Sequence, residues 1–199
     1  MQSKSTVNQA NQQELIAGIC QEDSSIEFFG IKKTRKVKFM TNGKTYDFKD
    51  LKGDPAAAVA AAFSRNEAAK AFFSGYKENG KLVNHTRKLE LFVFFTYGGL
   101  DNRADYKEGR LEKIENFRTG ENCPGLCFKT LHIDGQALTP REVTMLDCYS
   151  KDYTNTRTAG ILGITLSTFD YHNRNLLIKA NVTTKTALMI KAAKQGLLC

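Results

Sequence analysis

The chain has 199 residues, of which 41% are hydrophobic and 25% charged, with a formal net charge of +8 at pH 7. This length accommodates one or two domains with a buried core, and the composition is ordinary for a globular protein. No apolar run is long enough to span a membrane, and residues 1–13 (MQSKSTVNQANQQ) are polar rather than a secretory signal. We therefore expect a cytoplasmic protein without membrane association. The positive charge favours a polyanionic partner, although it also serves solubility.

The first predicted elements are a short helix and a β-hairpin. Residues 9–20 carry apolar side chains at helical spacing, and residues 26–29 are typical of a brief strand. Asn42 and Gly43 then predict the turn of a hairpin. Basic residues crowd the start of this hairpin: Lys32, Lys33, Arg35, Lys36 and Lys38. They indicate either a second phosphate-contacting surface or lysines that protect an exposed strand from edge pairing, and the second interpretation is favoured.

Two helical stretches follow. Residues 55–74 are rich in alanine and are predicted to be helical, with a break near residues 64–66, where Ser64 or Asn66 can cap a second helix. Residues 75–80 form a turn. Residues 82–97 end in a dense apolar run; their length favours a helix over a strand, although periodicity alone does not distinguish the two.

Residues 98–137 are rich in loops and contain two of the five cysteines. An odd number of cysteines in a cytoplasmic chain argues against a disulfide framework. Cys123 and Cys127 flank a Pro-Gly turn with His132 nearby, and Cys20 or His85 would complete the ligand set of a structural zinc ion. A single cysteine pair of this spacing is more typical of a loop with two small thiols, so we expect no metal ion and no other cofactor.

Catalytic motifs are lacking in the sequence. It contains no Walker-type phosphate-binding loop and no GxGxxG motif, and its three histidines do not form part of a recognisable catalytic set. The carboxylate pairs of residues 101–112 lie in a charged loop that is typical of a solvated surface. We therefore expect a protein that is not an enzyme.

Residues 138–198 have the pattern of four helices. Thr139 is followed by proline and, three residues after the threonine, by Glu142, which together form a capping-box start. The apolar spacing then predicts four helices, over residues 140–151, 156–162, 167–179 and 184–195.

The turn between the second and third of these helices has a recognisable spacing. Gly163 can adopt the left-handed backbone conformation of a tight turn, and Thr165 or Ser167 can cap the third helix. In this helix the apolar interval runs through Phe169 and Leu176, so the polar residues between them are expected to point outward. A helix, a tight turn with glycine and a second helix are typical of a helix-turn-helix.

This segment resembles the LuxR (GerE) type DNA-binding domain, a four-helix module found at the C-terminus of many bacterial regulators. The residues that carry the resemblance align without a gap: Leu138, Thr139, Pro140, Arg141, Glu142, Leu146, Asn155, Ala159, Leu162, Gly163, Ile164, Thr168, His172, Asn175, Lys179, Val182, Thr186, Gly196 and Leu197. This resemblance divides the chain into two predicted domains. Residues 138–199 would form the DNA-binding domain, and residues 1–137 an α+β accessory domain that serves interaction with a partner, oligomerisation or additional DNA contacts. The expected fold is mostly α, with a small α+β N-terminal region.

The resemblance implies a transcriptional regulator that binds double-stranded DNA by placing the helix at about residues 167–179 in the major groove. The residues expected to contact bases or the adjacent backbone are Ser167, Thr168, Tyr171 and Arg174. Those expected to contact phosphate are Thr165, Asn175 and Lys179. The family also implies a homodimer contact through the last helix, with Lys185, Leu188 and Lys191 as candidates.

Some residues depart from the family pattern. Gly160 lies inside the second helix, while Leu166 and Asp170 occupy recognition-helix positions that are often charged or basic in the family. Asp170 would repel phosphate unless it accepts from a cytosine amino group. Two alternatives therefore stay open. One is a protein-interaction module with a degenerate helix-turn-helix, such as a phage adaptor, anti-regulator or virion component; the other is a promoter-recognition subunit that resembles sigma region four and binds RNA polymerase.

Overall fold

The computed structural model describes residues 15–198, which form seven helices and four small antiparallel sheets. The helices are α1 (Gly53–Arg65), α2 (Glu67–Ser74), α3 (His85–Thr96), α4 (Pro140–Ser150), α5 (Asn155–Leu162), α6 (Leu166–Lys179) and α7 (Lys185–Lys194). The strands are β1 (Glu27–Ile31), β2 (Lys36–Thr41), β3 (Lys44–Asp47), β4 (Lys77–Glu78), β5 (Lys81–Leu82), β6 (Tyr106–Lys107), β7 (Arg110–Leu111), β8 (His132–Ile133) and β9 (Gln136–Ala137). The expected class, mostly helical with a small α+β N-terminal region, is confirmed. None of the helices in this part of the chain has the length and apolar character that a membrane span requires.

The N-terminal sheet is an antiparallel meander of β1, β2 and β3. Asn42 and Gly43 connect β2 to β3 and both have positive φ, 49° and 72°, as a two-residue hairpin turn requires. The predicted hairpin is therefore confirmed. The other sheets are two-residue hairpins, β4–β5, β6–β7 and β8–β9.

The helix predicted over residues 9–20 is wrong for the part that the structure describes, because residues 15–20 form turns; residues 9–14 lie outside the described residues. Gly18 has a φ of +73°, and its N–H donates to Asp23 Oδ2 at 2.7 Å. Its carbonyl accepts from the Gly43 N–H at 2.9 Å, so this segment packs on the turn of the hairpin. The apolar spacing alone did not reveal this tertiary contact.

Helix α3 packs on β1 and β2, and α1 packs on α3 and α2. Asn66 separates α1 from α2: its Oδ1 accepts from the Ala69 N–H at 2.9 Å, and its Nδ2 donates to the Phe128 carbonyl at 2.9 Å. The predicted break and its cap are confirmed. Helix α3 is also confirmed, and its residues 90–96 are buried. Burial on all sides explains why the apolar pattern of this helix carried no clear period.

Two clusters of buried residues lie along the chain. The first joins the three-stranded sheet, α1 to α3 and Phe128, and the second joins Leu131, Ile133 and helices α4 to α7. Leu126 is partly buried and packs against both clusters. Residues 131–137 thus pack with the C-terminal helices, although they precede the predicted boundary at residue 138.

A buried guanidinium joins the two clusters. Arg118 is 2% exposed, and its two terminal nitrogens donate to the carboxylate of Asp147 in α4 at 3.1 and 2.7 Å. It also donates to the carbonyl of Leu197, after α7. Nearby, Asn116 Nδ2 donates to the carbonyls of His132 and Gln195 at 2.8 and 2.9 Å. Residues 116–118 therefore hold both ends of the C-terminal helical unit.

Each C-terminal helix begins at a threonine cap, because a hydroxyl oxygen satisfies an N–H that has no partner within the helix. The caps of α4, α5, α6 and α7 are Thr139, Thr154, Thr165 and Thr184, and Thr139 forms a full capping box with Glu142. The predicted helices, their capping-box start and the turn at Gly163 are confirmed. Gly163 has a φ of 64°, in the left-handed region.

Glu142 also links the start of α4 to the end of α6. Its Oε2 accepts from the Thr139 N–H at 2.7 Å and pairs with Lys179 Nζ at 2.7 Å. Burial raises the pKa of this carboxyl, but the hydrogen bonds from Lys179 and Thr139 outweigh burial, so the pKa lies below its usual value. Glu142 is therefore ionised and paired in the folded protein at neutral pH.

The two glycines of α5 and its turn should respond oppositely to alanine. Gly163→Ala should destabilise the protein by about 1–2 kcal/mol, because an L-residue is strained in the left-handed region. Gly160→Ala should stabilise it by about 0.5–1 kcal/mol, since this position lies within the helix and a Cβ there meets no atom within 4 Å. Urea unfolding followed by circular dichroism measures both changes, and a Gly163→Ala variant as stable as wild type would contradict the assignment.

Glu142→Gln should lower the free energy of unfolding by about 1–3 kcal/mol at pH 7, since it removes a charge-assisted hydrogen-bonded partner of Lys179. A carboxyl whose folded pKa is lowered contributes its stability above the unfolded value, about 4.5, and loses it as the pH falls through the folded pKa. The wild type and Glu142→Gln should therefore converge in acid. Glu67→Gln is the control, because that side chain is 82% exposed and should change little. A constant difference between wild type and Glu142→Gln down to pH 2 would count against this linkage.

Candidate nucleic-acid interface

Helix α6 is fixed by its inner face. Phe169 and Leu176 are fully buried in the second cluster, and the Tyr149 ring packs edge-on against Phe169 with 6.4 Å between centroids. The Tyr149 hydroxyl also donates to Asn173 Oδ1 at 2.6 Å. These contacts hold α6 against α4 and α5 and leave its opposite face in solvent.

The outer face of α6 carries a shallow, open depression of about 480 Å³. Its lining residues are Leu166, Ser167, Asp170, Tyr171 and Arg174. Three of the four residues predicted to contact bases or the adjacent backbone therefore lie together here, and the fourth, Thr168, is also exposed on α6. Asp170 places a carboxylate among them. This face can donate hydrogen bonds through its hydroxyls and its guanidinium, and can stack through its tyrosine.

The residues predicted to contact phosphate differ in exposure and in the contacts that they already make. The Thr165 hydroxyl caps α6, accepting from the Thr168 N–H at 3.2 Å and sharing a hydrogen bond with the Thr168 hydroxyl at 2.9 Å. Asn175 is half-buried. Lys179 is already engaged, with Glu142 and with the Ala137 carbonyl at 2.8 Å. Its ammonium serves the packing of α4 against α6, so a phosphate contact would require breaking this pair.

The three residues of α7 predicted for a dimer contact pack within their own chain. Leu188 is 0% exposed and belongs to the second cluster, so it is unavailable to a partner chain in this structure. Lys185 Nζ lies 4.6 Å from the centroid of the Tyr149 ring, and Lys191 Nζ donates to the Ala180 carbonyl at 2.8 Å and pairs with Asp134. All three therefore hold α7 to its own unit. The exposed apolar residue of α7 is Ile190, at 54%.

Further basic residues lie on α4 and α5. Arg141 Nη1 lies 3.3 Å from His172 Nε2, which places a second guanidinium beside the recognition helix. On α5, the Arg157 guanidinium stacks over the Tyr153 ring, 3.7 Å from its centroid. Sequence reasoning used Arg141 only as part of the opening motif and did not select Arg157. Arg157 lies within the first helix of the helix-turn-helix, and this position in the sequence was the signal that could have added it.

The zinc candidates differ in burial and in their contacts. Cys123 is buried while Cys127 is exposed, and His132 lies in β8 with its backbone bound to Asn116. Of the additional candidates, His85 packs against Phe63, and Cys20 is exposed. Within residues 15–198, no three cysteine or histidine side chains lie close enough to share a metal ion.

Comparison with known proteins supports the C-terminal assignment. Residues 136–192 match the family described as bacterial regulatory proteins, luxR family. This match covers β9 and helices α4 to α6 together with most of α7. No curated protein sequence and no solved structure gives a significant match to the chain. Residues 136–192 therefore correspond to a LuxR-type (GerE) helix-turn-helix domain.

Proposed function

We propose that the chain is a transcriptional regulator that binds double-stranded DNA in a sequence-specific manner through α6. The observation that carries this proposal is the outward face of α6, where Ser167, Thr168, Tyr171 and Arg174 are exposed on a LuxR-type helix-turn-helix. A helix of this diameter fits the major groove of B-DNA, which is about 12 Å wide. Non-enzymatic action and a cytoplasmic location follow from this role.

The order of residues along α6 suggests how contacts are divided. In helix-turn-helix proteins the first residues of the recognition helix reach base edges, which here are Ser167 and Thr168. Arg174 lies two turns further along, and a guanidinium at this position is suited to guanine O6 and N7 or to a neighbouring phosphate. Tyr171 lies between them and supplies a hydroxyl donor together with an apolar ring.

Phosphate contacts are proposed for the rim of this face. Thr165 and Asn175 remain in the proposed set, whereas we assign Lys179 to support of α6 through Glu142. Arg141 and Arg157 extend the basic rim on α4 and α5. Residues 138–199 contain eight lysines and arginines against four acidic residues, which favours the DNA backbone.

A homodimer on DNA is proposed to use the exposed side of α7, around Ile190, in place of the buried Leu188. Lys185 and Lys191 would then stabilise α7 within each subunit. Residues 1–137 are proposed to form an accessory domain that contributes interaction, oligomerisation or additional contacts with DNA. RNA polymerase is a further candidate partner of a transcriptional regulator.

A second candidate function is a protein-interaction module. Leu166, Tyr171 and Ile178 of α6 are 46%, 61% and 69% exposed, and a recognition helix with this much apolar surface also suits a protein groove. An adaptor, anti-regulator or virion component would use α6 in this way. The third candidate is a promoter-recognition subunit like sigma region four. If the purified chain captures RNA polymerase, this candidate is favoured over an adaptor, anti-regulator or virion component.

Arg174→Ala should weaken specific DNA binding by about 1–3 kcal/mol, because a bidentate contact to guanine is lost. The target is first selected from random-sequence DNA with the wild-type chain, and affinity is then measured by fluorescence anisotropy across a salt series. Arg110→Ala is the matched control, since it removes the same charge from β7, where the side chain is 74% exposed. Equal binding by wild type and Arg174→Ala would remove Arg174 from the interface.

Asp170 separates the two candidate functions. If α6 faces DNA, Asp170→Asn should strengthen binding to random DNA by about 1 kcal/mol, because one repulsive charge is removed. The effect should shrink as salt is raised, since exposed charges are screened. Wild-type protein that does not bind DNA at low salt, combined with binding by Asp170→Lys, would instead assign the helix-turn-helix to a protein partner.

A further inference from the structure

A buried carboxylate in the N-terminal half lacks a full set of partners. Glu27, the first residue of β1, is 0% exposed. Its Oε1 accepts from the Asp101 N–H at 2.9 Å, whereas its Oε2 is buried and has no hydrogen-bond partner among the described residues. Burial of an unpartnered charged oxygen is strongly unfavourable. This oxygen therefore needs either a proton or a bound cation.

Other carboxylates surround Glu27 instead of a cation. Single oxygens of Glu27, Asp101 and Glu115 all lie within 4.8 Å of one another. Asp105 is also buried nearby, where its Oδ2 accepts from the Phe28 N–H at 2.7 Å. These four residues come from β1 and from the loops that follow α3, so tertiary folding brings their like charges together.

The nearest basic group is directed elsewhere. Lys129 is 7% exposed, and its ammonium donates to the backbone carbonyls of Phe95, Glu115 and Phe117. Among the described residues, none of the hydrogen bonds of this ammonium reaches a carboxylate oxygen of Glu27, Asp101 or Glu115.

We propose that Glu27, Asp101 and Glu115 form a binding site for a Ca²⁺ ion, with the unpartnered Glu27 Oε2 as its innermost ligand. The donor set consists of oxygen atoms alone, which suits a hard cation, whereas zinc prefers nitrogen and sulfur. Ca²⁺ binds oxygens at about 2.4 Å, so oxygens on opposite sides of the ion are about 4.8 Å apart. The spacing of the three carboxylates fits within this shell. Asp101 is exposed and gives the ion a path from solvent.

The position of the site suggests what the ion would stabilise. It would connect β1, the loop after α3 and the segment at Glu115. Asn116 and Arg118 follow Glu115 directly and bind the two ends of the C-terminal helical unit. Binding of Ca²⁺ would thus rigidify the segment on which the helix-turn-helix domain rests, independently of whether that domain binds DNA.

The test uses the full chain after treatment with a chelator, with Ca²⁺ alone as the probe. Ca²⁺ should raise the unfolding temperature in a saturable manner, and Glu27→Gln should weaken the apparent affinity at least tenfold. Because glutamine keeps the shape of the glutamate side chain, the metal-free Glu27→Gln variant should fold. Glu22→Gln is the matched control, at an exposed position outside the cluster, and should retain the wild-type response.

A second measurement reads the ion directly. The chain has no tryptophan and seven tyrosines, so Tb³⁺ in place of Ca²⁺ should luminesce on excitation of tyrosine. Ca²⁺ should displace it, and Asp101→Asn, at the exposed side of the cluster, should weaken Tb³⁺ binding without a change in the fold. The proposal is overturned if wild type gives no Ca²⁺-dependent shift at millimolar concentration, or if Glu27→Gln and Asp101→Asn bind as wild type does. A larger shift with Mg²⁺ than with Ca²⁺ would overturn the assignment of the ion.

Discussion

The contact between Arg118 and Asp147 is the constraint that relates the two halves of the described structure. A buried guanidinium must be paired, and removal of one partner of a buried ion pair typically costs about 3–5 kcal/mol. Arg118 satisfies this requirement with the Asp147 carboxylate and the Leu197 carbonyl, so the start and the end of the C-terminal unit meet at one side chain. Leu126 packs against both hydrophobic clusters and so adds an apolar contact between the two halves.

From this base, α6 receives its orientation through two different kinds of interaction. Burial of Phe169 and Leu176 selects the face that turns inward, and the pair between Lys179 and Glu142 fixes the C-terminal end of the helix. The outward face then needs no packing role. Ser167, Tyr171 and Arg174 are exposed on this face, which is the property that the proposed function uses. The same exposed face also carries the apolar residue Leu166. Because an apolar side chain also suits a protein partner, binding to a protein is the competing proposal.

Local rules predicted those features that depend on a few neighbouring residues. The hairpin turn at Asn42 and Gly43, the cap at Asn66, the capping box at Thr139 and Glu142, and the turn at Gly163 all follow from backbone preferences and short-range hydrogen bonds. Predictions that depended on which way a side chain points were less successful. Leu188 was proposed for a dimer contact but is buried, since the apolar pattern of α7 does not say whether Leu188 or Ile190 meets the core.

The sequence by itself determined the helical class of the chain, the positions of the four C-terminal helices and the LuxR-type identity of their domain. These properties are encoded by caps, glycines and apolar spacing within short segments. Only the tertiary structure decided that Lys179 pairs with Glu142 and that Glu27, Asp101 and Glu115 lie together. Contacts between residues that are distant in sequence depend on how whole helices and strands pack. The spacing of residues in a single sequence does not reveal them.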